Sequence, residues 1–189
     1  LSVTYFAELV LGVVREQTQL HVVTSVDRPT GALVVRNHFH SDFPDQAVFM
    51  QMPHRSRSVT GDRTEFLGRN GNLEQPAALL KDGLSGTVGA GLDPCGAMRT
   101  KFELEPGQDT EVHMLLGQCD NPDALHETLA KFESPALVRD AMQNTAEFWD
   151  RTISAVQVET PNQALDLMLN RWLPYQTLSC RVWGRSAFY

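Results

Sequence analysis

The segment Val112-His113-Met114-Leu115-Leu116-Gly117-Gln118-Cys119-Asp120-Asn121-Pro122-Asp123-Ala124-Leu125 decides the fold class, because the spacing of apolar residues changes inside it. Val112, Met114 and Leu116 alternate, as on one face of a strand. After Gly117 the period lengthens. Leu125, Leu129 and Phe132 follow at the four-and-three spacing of an amphipathic helix. Asn121-Pro122 marks where that helix begins: a proline at the first helical position forfeits no hydrogen bond, and the preceding side chain accepts one from an exposed amide. The chain is strand before this point and helix after it.

Upstream, Val3, Tyr5, Ala7, Leu9, Leu11 and Val13 alternate with Thr4, Phe6, Glu8, Val10, Gly12 and Val14. This pattern predicts one long strand over 3–14, buried on both sides. A polar turn at Arg15 to Gln17 leads to a second run, with Leu20, Val22, Thr24 and Val26 on one face. Asp27-Arg28-Pro29-Thr30-Gly31 has turn composition, Leu33 to Phe39 resumes the strand, and Ala47 to Met52 is another short one. Thr100, Phe102 and Leu104 oppose Lys101, Glu103 and Glu105. Pro106-Gly107 then predicts a hairpin that returns through Val112, Met114 and Leu116. With no long helix between 3 and 118, the first part reads as mainly β, an antiparallel β-sandwich of two packed sheets over 1–118.

Downstream, Ser134-Pro135 and Thr160-Pro161 repeat the Asn121-Pro122 signal. Val138, Ala141, Met142, Thr145, Phe148 and Trp149 form one stripe, and Leu165, Met168, Leu169 and Trp172 form another. Ile153 to Val158 reads as a strand-like connector. The expected organisation is a helical linker over 119–160 and a further helical segment over 161–189.

Composition removes several function classes. The 189 residues carry a net charge of −7, which disfavours a nucleic-acid partner, since phosphate neutralisation needs clustered Lys and Arg. No apolar run of about 18 residues is present, so no membrane contact is expected of this segment. Three cysteines, Cys95, Cys119 and Cys180, have neither disulfide nor zinc spacing and predict reduced thiols in a cytosolic setting. His38 and His40 share a strand face, but no third ligand is spaced to join them. Gly83, Gly86, Gly89 and Gly91 lack the strand-turn-helix context of a phosphate loop and read as tight turns.

Two stretches are candidates for binding. Residues 60–76, with Arg63 and Arg69, break the strand rhythm; they are either a shaped binding loop or a connector held by its own ion pairs. From Asn170 to Tyr189, Trp172, Tyr175, Trp183 and Tyr189 interleave with Arg171, Gln176, Arg181 and Arg185. Aromatic faces beside hydrogen-bonding heads suit a carbohydrate, which presents both CH faces and hydroxyls. The alternative is the first helix of a helical domain, with the aromatics in its core. The apolar stripe of Leu165, Leu169 and Trp172 would have nothing to bury against if the chain ended at Tyr189, so a fragment of a larger protein is expected.

The segment Leu169-Asn170-Arg171-Trp172-Leu173-Pro174-Tyr175-Gln176-Thr177-Leu178, continued by Arg181-Val182-Trp183-Gly184-Arg185-Ser186-Ala187-Phe188-Tyr189, closely resembles the glycoside hydrolase family 94 phosphorylases. Gly61-Asp62-Arg63-Thr64-Glu65-Phe66-Leu67-Gly68-Arg69-Asn70-Gly71 and Gly89-Ala90-Gly91-Leu92-Asp93-Pro94-Cys95 are further matches. Within the family it resembles the phosphorylase-type C-terminal region of cyclic β-1,2-glucan synthases. The resemblance implies a galactose mutarotase-like supersandwich, linker helices and the first helix of a truncated (α/α)6 barrel. It implies inverting phosphorolysis of a β-glucan, or control of chain length in cyclic β-1,2-glucan synthesis, with inorganic phosphate as co-substrate and no other cofactor. The family's catalytic acid lies beyond the matched positions, so this chain alone is expected to be inactive.

A β-glucan oligosaccharide is the implied partner, and a homodimer the implied assembly. The cytoplasmic side is the implied location, there within an inner-membrane protein. By that analogy Arg63 and Arg69 reach a neighbour's active site, whereas Arg171, Tyr175, Gln176 and Arg185 shape the barrel interior. The alternative is a stand-alone carbohydrate-binding or dimerisation module built on the sandwich.

Overall fold

The computed structural model describes residues 1–41, 43–53 and 56–184. Its strands are β1 (Ser2–Glu8), β2 (Val22–Val26), β3 (Leu33–Asn37), β4 (Ala47–Gln51), β5 (Arg57–Asp62), β6 (Pro94–Lys101) and β7 (Leu115–Cys119). They form two antiparallel sheets with strand orders β1-β6-β5 and β2-β3-β4-β7. Two compact units result, residues 1–138 and 139–189.

The period-two rule sorts the residues of the first unit into layers. Leu33, Val35, Met50, Met52 and Met98 meet between the sheets with Leu9 and Val22. Here β6 comes so close to the other sheet that a Cβ on Gly96 would lie 2.1 Å from Met50 Sδ. The alternate residues of the four-stranded sheet, Val34, Ala47 and Phe49, face away and are covered by Leu125 and Leu129 of α3 (Pro122–Ala130). The expected cap holds: Asn121 Oδ1 accepts the Ala124 N–H at 2.9 Å. Because α3 closes this sheet, it belongs to the sandwich unit although it lies beyond the change of period. On the outer face of the three-stranded sheet, Phe6, Cys95 and Ala97 pack under Phe66, Leu67, Ala78 and Leu84. Covered on both faces, β6 is buried from Pro94 to Thr100.

Several expectations are corrected. The strand over 3–14 ends at Glu8. The chain leaves the sheet there, passes Leu11 at φ 44°, and forms α1 (Arg15–Thr18) where a polar turn was expected. As an edge strand β1 is not buried on both sides; Val3 is 41% exposed. Leu20 precedes β2 and is exposed. β3 stops at Asn37, whose Oδ1 accepts the Phe39 N–H, so His38 and His40 occupy a turn rather than a strand face.

The hairpin through Pro106-Gly107 does not form. Its turn exists (Gln108 N–H donates to Glu105 O at 3.0 Å), but β6 and β7 lie in different sheets, and residues 102–114 cross between them. Period-two alternation cannot tell a returning strand from one that changes sheets. Residues 60–76 are also less irregular than read. They contain the end of β5 and α2 (Arg63–Leu67), capped by Asp62, whose Oδ1 accepts the Thr64 N–H at 2.8 Å. Gly86, Gly89 and Gly91 have positive φ in the loop leading to β6, Gly83 does not, and the next element after them is a strand and not a helix.

Helix α4 (Pro135–Ile153), which lies in the second unit from Arg139 on, absorbs the start of the expected strand-like connector, and no strand follows it among the described residues. The next cap is Asn162 rather than Thr160. Asn162 Oδ1 accepts the Ala164 N–H at 3.0 Å, while the Thr160 hydroxyl donates to Asp166 Oδ1 at 2.7 Å. From there α5 (Gln163–Leu167), a π-helical stretch (Met168–Trp172), α6 (Leu173–Gln176) and a second π-helical stretch (Thr177–Trp183) follow without interruption. Pro174 supplies the physical reason for irregularity here. It has no N–H for the ladder, and its ring crowds the carbonyl four residues back.

Candidate functional site

The residues with the clearest capacity to bind are aromatic, and all lie in the 139–189 unit. Trp149 and Ile153 are one turn apart on α4. Leu167, Arg171 and Tyr175, with Met168 and Trp172, recur at spacings of three and four on the last helical run. Together these seven residues line an open groove of about 420 Å³. Trp149 is its hub: ring centroids lie 4.9 Å from Tyr175, 5.2 Å from Trp183 and 5.7 Å from Phe148. The second aromatic wall comes from Trp172, 6.5 Å from Tyr175. Asn170 fixes the connector beside it, accepting the Val158 N–H at 2.7 Å and donating to Val158 O at 2.8 Å.

Among the described residues Arg171 brings the one charge to the groove, and it is ion-paired with Asp150. Both groups are more than half exposed, so the pair is worth little as a staple and orients the guanidinium more than it stabilises the unit. Aromatic walls with one oriented donor can stack on an apolar ring face and hydrogen-bond an edge hydroxyl.

Of the six residues singled out in the sequence, Arg171 and Tyr175 come together here. Gln176 does not line the groove; its Oε1 accepts from Cys180 Sγ at 3.4 Å. Arg185 lies outside the described residues. Arg63 and Arg69 are in the other unit. Arg63 opens α2 and is engaged: its Nε donates to Glu8 Oε1 at 2.7 Å, and its guanidinium lies 3.6 Å from Asp93, which also pairs with Arg15. Arg69, just after Gly68 at φ 90°, is exposed and has no polar partner among the described residues.

Sequence reasoning did not single out Trp149 and Ile153 as site residues. The adjacent bulky pair Phe148-Trp149 on a polar helix was the available signal.

A polar cluster in the sandwich unit was also missed. Glu65 accepts from the Thr60 hydroxyl at 2.6 Å, the Ser85 hydroxyl at 2.5 Å and the Ser85 N–H at 3.0 Å. Burial acts to raise its pKa, but these bonds, with help from Lys81, outweigh it and hold the carboxyl below its ordinary 4.5. A lowered folded-state pKa contributes stability above the unfolded value, and that contribution is lost as pH falls through the folded one. Thermal melts of wild type should therefore lose stability below about pH 4.5 more steeply than those of Glu65→Gln. At neutral pH the variant should already be about 1–2 kcal/mol less stable. Parallel curves for the two proteins would contradict this.

Among the described residues no cluster of His, Cys, Asp and Glu is arranged to hold a metal ion. Burial, reinforced by Asp62 and Glu65, pushes the Cys95 thiol up to about 12, so it stays protonated and is not a nucleophile. No described helix is long and apolar enough to cross a membrane.

Comparison with known proteins gives two family matches in chain order. Residues 1–135 match "Glycosyl hydrolase 94, supersandwich domain", and residues 148–189 match "Glycosyl hydrolase 94 superfamily, catalytic domain". Cyclic beta-(1,2)-glucan synthase NdvB of Rhizobium meliloti (strain 1021) is 35% identical over 190 aligned residues, 100% of this chain and 7% of that protein. The N,N'-diacetylchitobiose phosphorylase of Vibrio furnissii is 32% identical over 133 residues, 70% of this chain and 16% of that enzyme. For the enzyme of the same name from Vibrio proteolyticus the figures are 27%, 92% and 21%. The chain thus spans a minor part of the length of these relatives.

Proposed function

Because this chain belongs to the glycosyl hydrolase 94 family, we propose that it forms the supersandwich and the opening catalytic-domain helices of a phosphorylase-type protein acting on β-linked glucan. The observation carrying this reading is the match of the whole chain, at 35% identity, to a cyclic β-1,2-glucan synthase. The reaction is inverting phosphorolysis. A phosphate oxygen bonds to the anomeric carbon as the glycosidic C–O bond breaks, and a carboxylic acid protonates the departing oxygen. Inorganic phosphate is the co-substrate, and no further cofactor is needed.

In this reading the proton donor is not among these 189 residues. Their share is the scaffold and one aromatic wall, with Trp149, Trp172 and Tyr175 lining the barrel interior and Arg171 held by Asp150. Gln176, beside Tyr175 in the chain, supports that wall. In a homodimer, Arg69 and Arg63 approach the neighbour's active site; the exposure of Arg69 favours this more than the engaged Arg63 does. The protein works on the cytoplasmic side, as part of an inner-membrane synthase in which the same fold sets glucan length.

The complete protein, incubated with linear β-1,2-gluco-oligosaccharide and inorganic phosphate, should release α-glucose 1-phosphate, and none without phosphate. Oligosaccharide binding without product would replace phosphorolysis by chain-length control or a carbohydrate-binding module. Neither binding nor product would overturn the reading.

A further inference from the structure

An open cavity of about 620 Å³, within the roughly 300–1,000 Å³ range of small-molecule sites, lies at one end of the sandwich unit. It sits where β3 ends, β4 begins and β7 ends, and the segment after β1 forms another wall. That wall is held in a fixed shape. Leu11 has φ 44°, a left-handed conformation costly for a leucine, and its carbonyl accepts from Asn37 Nδ2 at 2.9 Å. Asn37 is 4% exposed, and its Oδ1 accepts the Phe39 N–H at 3.1 Å, so one buried amide ties both loops.

The groups that face the space select a class of ligand. Among the described residues no Asp, Glu, Lys or Arg lines it, although 21% of the chain is charged. Gln46 and Gln118 do line it. Val48 and Gln118 are cross-strand partners, and Gln46 precedes Val48 by two residues, so all three share a sheet face. Gln118 is exposed and Gln46 half-buried, so a ligand can reach both amides, and neither has a side-chain partner among the described residues. Each offers two donors and an acceptor. Phe43, 55% exposed, adds an aromatic face, its ring 5.4 Å from that of His40. A smaller recess shares Gly12, Val13, Asn37 and His40 with the cavity and is walled by the His21–Phe39 ring pair, stacked at 4.1 Å. Its described lining also holds no Asp, Glu, Lys or Arg. Amides without a countercharge suit hydroxyls rather than ions, and ring faces suit CH groups. We infer that this end of the sandwich binds a neutral carbohydrate. Hydroxyls of one pyranose bond to Gln46 and Gln118, its CH face lies against Phe43, and the His21–Phe39 pair takes a neighbouring sugar unit. The inference rests on the cavity and not on the phosphorolysis reading.

Calorimetric titration of the complete protein with D-glucose, and separately with linear β-1,2-gluco-oligosaccharide, tests it; phosphate is left out so that no turnover intervenes. Gln46→Leu with Gln118→Leu removes both amides, and Phe43→Ala removes the ring. Gln118 and Phe43 are exposed, so their single variants leave the core intact and decide the matter if the double variant does not fold. For at least one ligand, one binding event should weaken about tenfold or more in the double variant and roughly three- to tenfold in each single variant. Weakening with glucose identifies a single pyranose as the occupant; weakening with oligosaccharide alone identifies a longer chain that also engages His21 and Phe39. No binding event in wild type, or unchanged affinity and stoichiometry for both ligands in the variants, would overturn the proposal. Tighter binding once the amides are leucines would overturn it too, by showing an apolar occupant.

Discussion

Replacing Arg99 by methionine is expected to destabilise the sandwich unit by about 3 kcal/mol, although Arg99 belongs to no candidate site. Arg99 is 3% exposed in the most buried strand of the molecule. Its Nε donates to Thr4 Oγ1 at 2.8 Å, its Nη1 to Lys81 O at 2.7 Å and its Nη2 to Ala78 O at 2.9 Å. Across the same sheet face Ser58 Oγ accepts the Leu84 N–H at 3.0 Å, and Lys101 Nζ pairs with Asp82. This polar strip clamps residues 78–84 over β6, and that segment seals the cluster of Phe66, Leu67 and Cys95.

Methionine keeps much of the volume but removes all three bonds, leaves the Ala78 carbonyl with the Lys81 N–H alone, and releases the segment. For a chain of this size, about 3 kcal/mol is a fall in melting temperature of roughly 6–12 °C. Lysine, a point charge on a flexible stem, cannot reach three divergent acceptors and should lie between. An Arg99→Met melt within about 2 °C of wild type would show that the clamp is not structural.

The reason Arg99 was invisible in the sequence also explains the other misreadings. Alternation reports that a residue faces one side of a strand, and it does not report what covers that side. Lys101 and Glu103 are polar and lie toward solvent, and Arg99 shares their register, so nothing local distinguishes it from a surface charge. Its face is covered by residues about 20 positions upstream. The lost hairpin failed likewise: β6 and β7 each have strand pattern, but sheet membership is set by β1 and β5 for one and by β4 for the other.

Local signals fared better. The change of period after Gly117 and the Asn121 and Ser134 caps were readable because both are decided within four residues. The groove lies between these cases. Arg171 and Tyr175 were readable from spacing within one helical run, whereas Trp149 joins them from another helix through contacts that spacing does not encode.

That last residue carries the second large effect. In the complete protein, Trp149→Ala removes the ring that touches Tyr175, Trp183 and Phe148, and leaves the groove without its hub. Burying an aromatic in a full core is worth about 3–5 kcal/mol against alanine, and Trp149 is only half-buried, so a loss of about 2 kcal/mol is expected. If the groove holds sugar, the substrate effect should exceed what this loss explains. An aromatic contact is worth about 0.5–1.5 kcal/mol, which predicts a rise of up to roughly tenfold in KM for oligosaccharide. Trp149→Phe separates the two contributions. It restores most of the packing but offers a smaller face, so stability should recover more fully than KM. A variant pair in which KM follows melting temperature alone would assign Trp149 to the packing of the helical unit and leave sugar contact to other residues.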